Sequence, residues 1–126
     1  MKKKVLIIED DLALLNTLRD TLTKENFEVL KAENGEQGLT VALREHPDLI
    51  LLDIIMPVMD GLTMLRNLRG DAWGKDVKVI LLSNLADMGK IKSEQEHSGV
   101  YAYITKSNIN ISDLVKMITI ATKSQT

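Results

Sequence analysis

Short, mostly apolar runs alternate along the chain with longer segments in which apolar residues recur every three or four positions. Runs that are apolar at nearly every position predict strands covered on both faces, as in a parallel sheet, and three of the runs have this character. The second and fifth runs are more mixed, which favours positions at the edges of the sheet. The five predicted strands cover residues 5–8, 27–32, 49–52, 77–82 and 101–104.

The segments between these runs carry helix signals. The first segment opens at Asp11, and the second opens at Asn34 and stops before Pro47. The third follows Gly61, and the last runs to about Thr122. The apolar positions expected to face the core are Leu15, Leu18 and Leu22, then Leu62, Leu65 and Leu68, and finally Ile111, Leu114, Val115 and Ile118.

The fourth predicted helix, over residues 87–97, differs from the others because Met88 and Ile91 are its only large apolar residues. We therefore expect it to be weakly anchored to the core. Five strands alternating with five helices, joined by right-handed crossovers, predict a doubly wound, three-layer α/β fold. A length of 126 residues with 44% apolar and 27% charged residues suits a single globular domain over 1–126.

Composition excludes several classes of protein. The chain has no cysteine, so disulfide and thiol chemistry are excluded. The basic start is followed by an apolar run too short for a signal sequence, and no run approaches the roughly 20 residues of a membrane span, so we expect a soluble, cytoplasmic protein without membrane contact. A net charge of -2 without an extended Lys/Arg run argues against direct nucleic-acid binding.

Acidic residues follow two of the predicted strands. Glu9, Asp10 and Asp11 come after the first strand, and Asp53 comes directly after the third. Because the carboxyl ends of parallel strands meet at one edge of the sheet, these carboxylates are expected to lie together. Taken alone, Asp11 is best explained as a helix N-cap.

A hydroxyl and an ammonium group end two further strands, since Ser83 follows the fourth strand and Lys106 the fifth. A serine or an acid at one strand end is often only turn chemistry, but four strand ends carrying acid, acid, hydroxyl and amine are a much more specific pattern. Carboxylates about 4 Å apart repel by roughly 4 kcal/mol at an effective dielectric constant near 20. A hard cation such as Mg²⁺ would offset that repulsion and leave Asp53 nucleophilic towards phosphorus, with Lys106 and Ser83 contacting the phosphoryl oxygens.

These residues make the sequence resemble response-regulator receiver domains over essentially its full length. The acids at positions 9–11 resemble the acidic pocket of that family, and residues 53–61, Asp-Ile-Ile-Met-Pro-Val-Met-Asp-Gly, resemble its phosphorylation loop. Ser83 and Lys106 lie 30 and 53 residues beyond Asp53, as the family pattern expects. Tyr103 falls where the family has its switch aromatic.

The resemblance implies a flavodoxin-like fold with strand order 2-1-3-4-5 and phosphorylation of Asp53. It also implies Mg²⁺, with Mn²⁺ as a substitute, bound by Asp10, Asp53 and the backbone carbonyl of Ile55, with Glu9 acting through water. The phosphodonor would be a histidine kinase, a phosphotransfer protein or a small acyl phosphate. After phosphorylation Ser83 would move towards the phosphoryl group and Tyr103 would turn inward.

A downstream protein or a second receiver is expected to bind the fourth predicted helix, the fifth strand and the fifth helix. Catalysis is expected to be limited to the domain's own phosphorylation and slow dephosphorylation, so the chain is not expected to be an enzyme. Two departures from the family pattern stand out. Ser107 replaces the proline that usually follows the lysine, which changes the expected loop shape, and Asn84 replaces a small residue, which predicts a longer-lived phosphoaspartate.

Two other functions compete with this interpretation. A receiver-like interaction domain could use the same surfaces without phosphorylation, although an unused pocket has little reason to keep these opposed charges. An aspartate-based phosphohydrolase would usually carry a second acid two residues after the nucleophile, where this chain has Ile55. His46 and His97 end no predicted strand and are interpreted as surface residues, and Trp73 is expected to pin the loop over residues 70–76.

Overall fold

The computed structural model describes residues 2–84 and 99–123. Within them the strands are β1 (Lys4–Ile8), β2 (Glu28–Ala32), β3 (Leu49–Asp53), β4 (Lys78–Ser83) and β5 (Ala102–Thr105). The helices are α1 (Leu12–Lys24), α2 (Gly35–Glu45), α3 (Gly61–Arg69) and α4 (Ile111–Thr122), and a short 3-10 turn covers Lys106–Asn108. The predicted helix over residues 87–97, with Met88, Ile91 and His97, lies outside the described residues.

All five strands are parallel, and their order is β2-β1-β3-β4-β5, which confirms the predicted sheet. The register places Ile8 beside Leu52, and Asp53 beside Leu82, so that the strands end at a common edge. Asp53 and Ser83 are the last residues of β3 and β4, whereas the sequence pattern placed them just after the strands. We call this side the carboxyl edge of the sheet.

The sheet separates two apolar cores. Leu6 and Ile8 face α2 and α3, while Val5 and Ile7 face α1 and α4. Because β1, β3 and β4 contribute to both cores, their continuous apolar runs are explained by burial on both faces. The leucines predicted for α1 and α3 are buried, and so are Leu114 and Ile118 in α4. The three layers of the predicted fold are therefore confirmed.

Each of the four described helices begins at an Asp or Asn whose side chain accepts a hydrogen bond from a backbone N–H of the first turn. Asp11 accepts from Ala13 and Leu14, which confirms its expected role as an N-cap. The N-cap roles of Asp60 and Asn110 were not part of the sequence interpretation. None of the helices in the described ranges is long and apolar enough to cross a membrane.

Candidate phosphorylation and metal site

Three carboxylates meet at the carboxyl edge of the sheet. Glu9, Asp10 and Asp53 each place one oxygen within 4.8 Å of the others. Glu9 is fully buried and Asp53 is 3% exposed, whereas Asp10 lies at the surface. The ends of β1 and β3 thus bring together the acids that the sequence predicted to meet, with Asp10 on the solvent side of the group.

Lys106 joins these acids from the end of β5. Its Nζ lies 2.9 Å and 3.1 Å from the two oxygens of Glu9 and 3.2 Å from Asp53 Oδ2. The backbone N–H of Asp11 also donates to Glu9 Oε2 at 3.0 Å. One ammonium group therefore faces two buried carboxylates, which leaves a net negative charge at the centre.

Two buried carboxylate oxygens, Glu9 Oε1 and Asp53 Oδ2, accept no hydrogen bond from the described part of the chain. Both lie within ion-pair distance of Lys106 Nζ, but neither is in hydrogen-bonding geometry with it. Leaving a charged oxygen buried without a hydrogen bond is costly. Bare oxygens of this kind, clustered with Asp10, fit a hard divalent cation such as Mg²⁺, which prefers carboxylate and carbonyl ligands.

Burial raises the pKa of Asp53 to about 7, and the nearby charge of Glu9 adds to the effect. Lys106 acts in the opposite direction on that pKa but does not cancel the rise. For Lys106 itself, burial lowers the pKa, yet the hydrogen bond with Glu9 and the charges of Asp53 and Glu9 outweigh burial and leave the pKa above its ordinary value. Without a cation the centre thus favours a proton on Asp53 below about pH 7 and the charged form of Lys106.

The remaining predicted residues lie around this centre. Ser83 is buried at the end of β4, where the register pairs it with Thr105 of β5. Tyr103 is half-buried and packs against the core that faces α2 and α3. Ile55, two residues after Asp53, is 51% exposed, and Asn84 is exposed directly beyond Ser83.

The loop after β5 forms a 3-10 turn over Lys106–Asn108, closed by the Ile109 N–H donating to the Lys106 carbonyl at 3.4 Å. The described residues contain no cis peptide bond. Ser107 lies within this turn and is exposed. The turn presents Lys106 to the carboxylates without the proline that the family usually has.

The steric role of Gly61, the first residue of α3, was not part of the sequence interpretation. A Cβ at this position would collide with the carbonyl oxygen of Asp53. Only glycine therefore allows the first turn of α3 to pack directly on the backbone of Asp53. The signal was available in the Asp60-Gly61 pair that closes the phosphorylation-loop motif.

The histidine and tryptophan outside the site pack on each other at the opposite edge of the sheet. The rings of His46 and Trp73 stack with centroids 4.3 Å apart and an interplanar angle of 8°. His46 is exposed and caps the C-terminus of α2 with φ 49°. The expectation that His46 is a surface residue is confirmed, and Trp73 lies partly buried against the core that faces α2 and α3. The contact between His46 and Trp73 was not predicted.

A family model described as the response regulator receiver domain matches residues 5–119. Among curated proteins, the response regulator PleD of Caulobacter vibrioides is 36% identical over 106 residues, which is 84% of this chain and 23% of PleD. The sporulation initiation phosphotransferase F of Bacillus subtilis is 29% identical over 92% of this chain and 93% of its own length. The chain thus spans less than a quarter of PleD but nearly all of the phosphotransferase.

Solved structures show the same fold. The CheY-like response regulator receiver domain protein of Methanospirillum hungatei superposes with a TM-score of 0.86 at 29% identity and covers 95% of this chain and 93% of its own. The receiver domain of the sensor histidine kinase PA1611 of Pseudomonas aeruginosa has a TM-score of 0.86 at 24% identity, covering 98% and 100%. That second structure holds a magnesium ion in its active site cleft.

Proposed function

The chain belongs to the receiver domain family of two-component response regulators, and from this premise we propose that it is a signalling switch in which Asp53 accepts a phosphoryl group. The observation that carries the proposal is the buried Asp53 carboxylate, which lies 3.2 Å from Lys106 and shares its centre with Glu9 and Asp10. Acidic oxygens and one ammonium group are what phosphoryl transfer to a carboxylate requires.

Asp10 and Asp53 would hold Mg²⁺ directly together with the carbonyl of Ile55, and Glu9 would act through water. When bound, the ion would offset the repulsion among the carboxylates and the phosphoryl oxygens. The hydrogen-bond-free oxygens of Glu9 and Asp53 support this assignment, as does the magnesium ion in the PA1611 receiver domain. Mn²⁺ has similar ligand preferences and is expected to substitute.

In the reaction, an oxygen of Asp53 forms a bond to phosphorus while the bond between phosphorus and the donor breaks. The bonding electrons leave with the donor, either the nitrogen of a phosphohistidine, which then takes up a proton, or the oxygen of an acyl phosphate. Lys106 would contact a phosphoryl oxygen and stabilise its charge. The chain mainly supplies positioning and electrostatics, and water would later hydrolyse the phosphoaspartate slowly, so turnover of other substrates is not proposed.

Phosphorylation would place a doubly charged group within reach of Ser83, which would move towards it while Tyr103 turns inward. One charge-assisted hydrogen bond contributes roughly 1.5 to 3 kcal/mol, whereas shifting a two-state equilibrium from 1:99 to 99:1 takes about 5.5 kcal/mol. Phosphorylation alone would therefore shift the domain only partly. A downstream protein or a second receiver would complete the shift by binding β5, α4 and the helix predicted over residues 87–97.

Receiver domains interact with histidine kinases or phosphotransfer proteins, and we propose such a protein as the physiological donor. The relation to the sporulation phosphotransferase supports a place in a phosphorelay. Acetyl phosphate is the probe that replaces an unidentified kinase. It tests the site without requiring the protein partner.

The direct test is intact-mass analysis after incubation with acetyl phosphate, with Mg²⁺ or with EDTA. We expect the wild type to gain one phosphoryl group only in the presence of Mg²⁺. Asp53→Asn is the matched control, because it keeps the size of the side chain and removes the nucleophile. Absence of the mass gain in the wild type, or an equal gain in Asp53→Asn, would contradict the proposal and favour an interaction domain that works without phosphorylation.

A further inference from the structure

The loop between Asp53 and Asp60 contains an unusual backbone turn. The N–H of Met59 donates to the carbonyl of Pro57 at 2.8 Å, which closes a three-residue turn around Val58. Val58 has φ 68°, a conformation that a β-branched residue rarely adopts because its Cβ is crowded by the backbone. Val58 is 76% exposed, so packing does little to offset this strain. Something else must hold the loop in place.

The first turn of α2 supplies that hold. The N–H of Gly35 donates to the carbonyl of Met59 at 3.0 Å. First-turn N–H groups lack acceptors within their own helix, so this bond fastens α2 to the loop at no cost to the helix. On the other side of the turn, the N–H of Gly61 donates to the carbonyl of Ile54 at 2.7 Å. The strained turn is therefore held between two hydrogen bonds.

Glycine is required at position 35 for a steric reason. A Cβ there would collide with the carbonyl oxygen of Met59, which is a backbone atom and cannot move unless the loop moves. Any larger residue would thus both crowd the loop and break its hydrogen bond. The chain of contacts runs from Gly35 through Met59 to the loop that begins at Asp53.

We propose that Gly35 is a positioning residue of the phosphorylation site, which holds the loop after Asp53 in the conformation that binds the cation. This inference rests on the proposed function. Gly35 touches neither the carboxylates nor Lys106 in the contacts described above, and it acts through the backbone of Met59. The strain at Val58 makes this positioning role of Gly35 necessary, because the turn would relax if the hydrogen bond from Gly35 to Met59 were lost.

Gly38, one turn further along α2, offers a matched control. It is buried like Gly35, and a Cβ there would also meet a neighbour, but that neighbour is the side-chain end of Ile8. The Gly38 N–H donates to the carbonyl of Asn34 inside the helix at 2.9 Å. Gly38→Ala should therefore disturb packing between α2 and the sheet without moving the loop.

The test compares Mg²⁺ binding by titration calorimetry, the acetyl phosphate reaction by intact mass, and the thermal unfolding midpoint. We expect Gly35→Ala to weaken Mg²⁺ binding by about five- to tenfold and to slow phosphorylation at subsaturating Mg²⁺, a change of the size that one hydrogen bond produces. Gly38→Ala should lower the unfolding midpoint and leave Mg²⁺ affinity within about twofold of the wild type.

A double variant separates positioning from a general loss of stability. Glycine adopts φ 68° without strain, so in a Val58→Gly background the loop should keep its conformation with less help from α2. The loss of Mg²⁺ affinity caused by Gly35→Ala should then be clearly smaller than in the wild-type background. Equal losses in both backgrounds would overturn the role assigned to the strain at Val58.

Amide hydrogen exchange of the wild type keeps the proposal testable if Gly35→Ala does not fold. Adding Mg²⁺ should slow exchange of the Gly35 amide more than that of the Gly38 amide, and equal slowing would count against the proposal. If the wild type binds Mg²⁺ and is phosphorylated but Gly35→Ala has the same Mg²⁺ affinity as Gly38→Ala, this inference alone is overturned. A wild type that does neither would overturn the proposed function as well.

Discussion

At the scale of single residues, the site depends on how a few charges are buried. Asp53 and Glu9 are removed from solvent, and Lys106 is the one cation of the described residues that lies within ion-pair distance of both. Such an arrangement is not optimised for stability, because one ammonium group cannot satisfy two buried carboxylates. The imbalance is what prepares the centre for a cation and an incoming phosphoryl group.

The raised pKa of Asp53 predicts a pH dependence of stability in EDTA. Between the ordinary value of 3.8 and about 7, the folded state holds a proton that the unfolded state releases. Stability should therefore fall as pH rises through this window, and Asp53→Asn should remove that dependence. At about pH 8 we expect the variant to be more stable than the wild type by on the order of 2 to 4 kcal/mol.

Urea unfolding at about pH 8 and about pH 4 checks this, and the advantage of Asp53→Asn should shrink at the lower pH. Saturating Mg²⁺ should reduce the advantage at pH 8, since the cation then compensates the buried charge of Asp53. A variant that is less stable than the wild type in EDTA at pH 8 would show that the Asp53 charge is well compensated by Lys106.

Asn84 bears on the lifetime of the phosphoaspartate. It is exposed directly after the buried Ser83, where the family generally has a small residue. Its side chain should hinder the hydrolytic water, so Asn84→Ala should lose the phosphoryl group faster by a factor of a few, a barrier change of less than about 1.4 kcal/mol. Intact-mass analysis after removal of acetyl phosphate measures the decay, and Asn84→Gln, which keeps the bulk, should decay slowly like the wild type.

At the scale of elements, local sequence and burial determine most of the structure. The four described helices each begin at an Asp or Asn, and β1, β3 and β4 are buried at every position except the first residue of β1 and of β4. These features make element type predictable from the pattern. The contacts that hold neighbouring loops together are harder to predict from the sequence, because they are made to backbone carbonyls, which every residue type carries.

Arg69 at the end of α3 illustrates such a hidden contact and gives a prediction. Its guanidinium donates to the carbonyls of Gly74 at 2.7 Å and Val77 at 2.8 Å, and more distantly to that of Gly99 at 3.4 Å. Arg69→Met should reduce the free energy of unfolding by about 1 to 3 kcal/mol, because carbonyls lose their donor.

Urea unfolding measures this loss, with Arg66→Met as the control on the exposed side of the same helix. Phosphorylation of folded Arg69→Met by acetyl phosphate should match the wild type, because Arg69 lies at the edge opposite Asp53. An effect of Arg66→Met equal to that of Arg69→Met would contradict the assigned role of the carbonyl contacts.

The sequence predicted the sheet order, through the family resemblance, and the meeting of Glu9, Asp10, Asp53 and Lys106 at one edge. It could not predict that Glu9 would be held by Lys106 through both oxygens, because side-chain geometry depends on the turn after β5. The packing of Gly35 and Gly38 against the loop and the sheet was also missed, since a glycine in a helix carries no apolar signal.

Ile111 and Val115 were expected inside and are only half-buried, because α4 covers the edge of its core.

At the scale of the whole molecule, cation binding and folding are coupled. The carboxylates converge only when β1 and β3 are paired, so Mg²⁺ should bind the folded chain and not the unfolded one. The unfolding midpoint should therefore rise with Mg²⁺ concentration, with a stabilisation of about 2.7 kcal/mol at 100 times the dissociation constant. Asp10→Asn should lose most of this stabilisation. Asp113→Asn, on the exposed face of α4, is the control and should keep it. Thermal scans at several Mg²⁺ concentrations distinguish the two variants.

The stacked pair of His46 and Trp73 has a practical consequence. Trp73 is the single tryptophan of the chain and lies across the sheet from the carboxylates. Its indole emission should change when the domain unfolds and the stack opens, yet remain nearly constant when ligands occupy the far side. Trp73 fluorescence should therefore report unfolding but not ligand binding, so unfolding and binding can be followed separately in one sample.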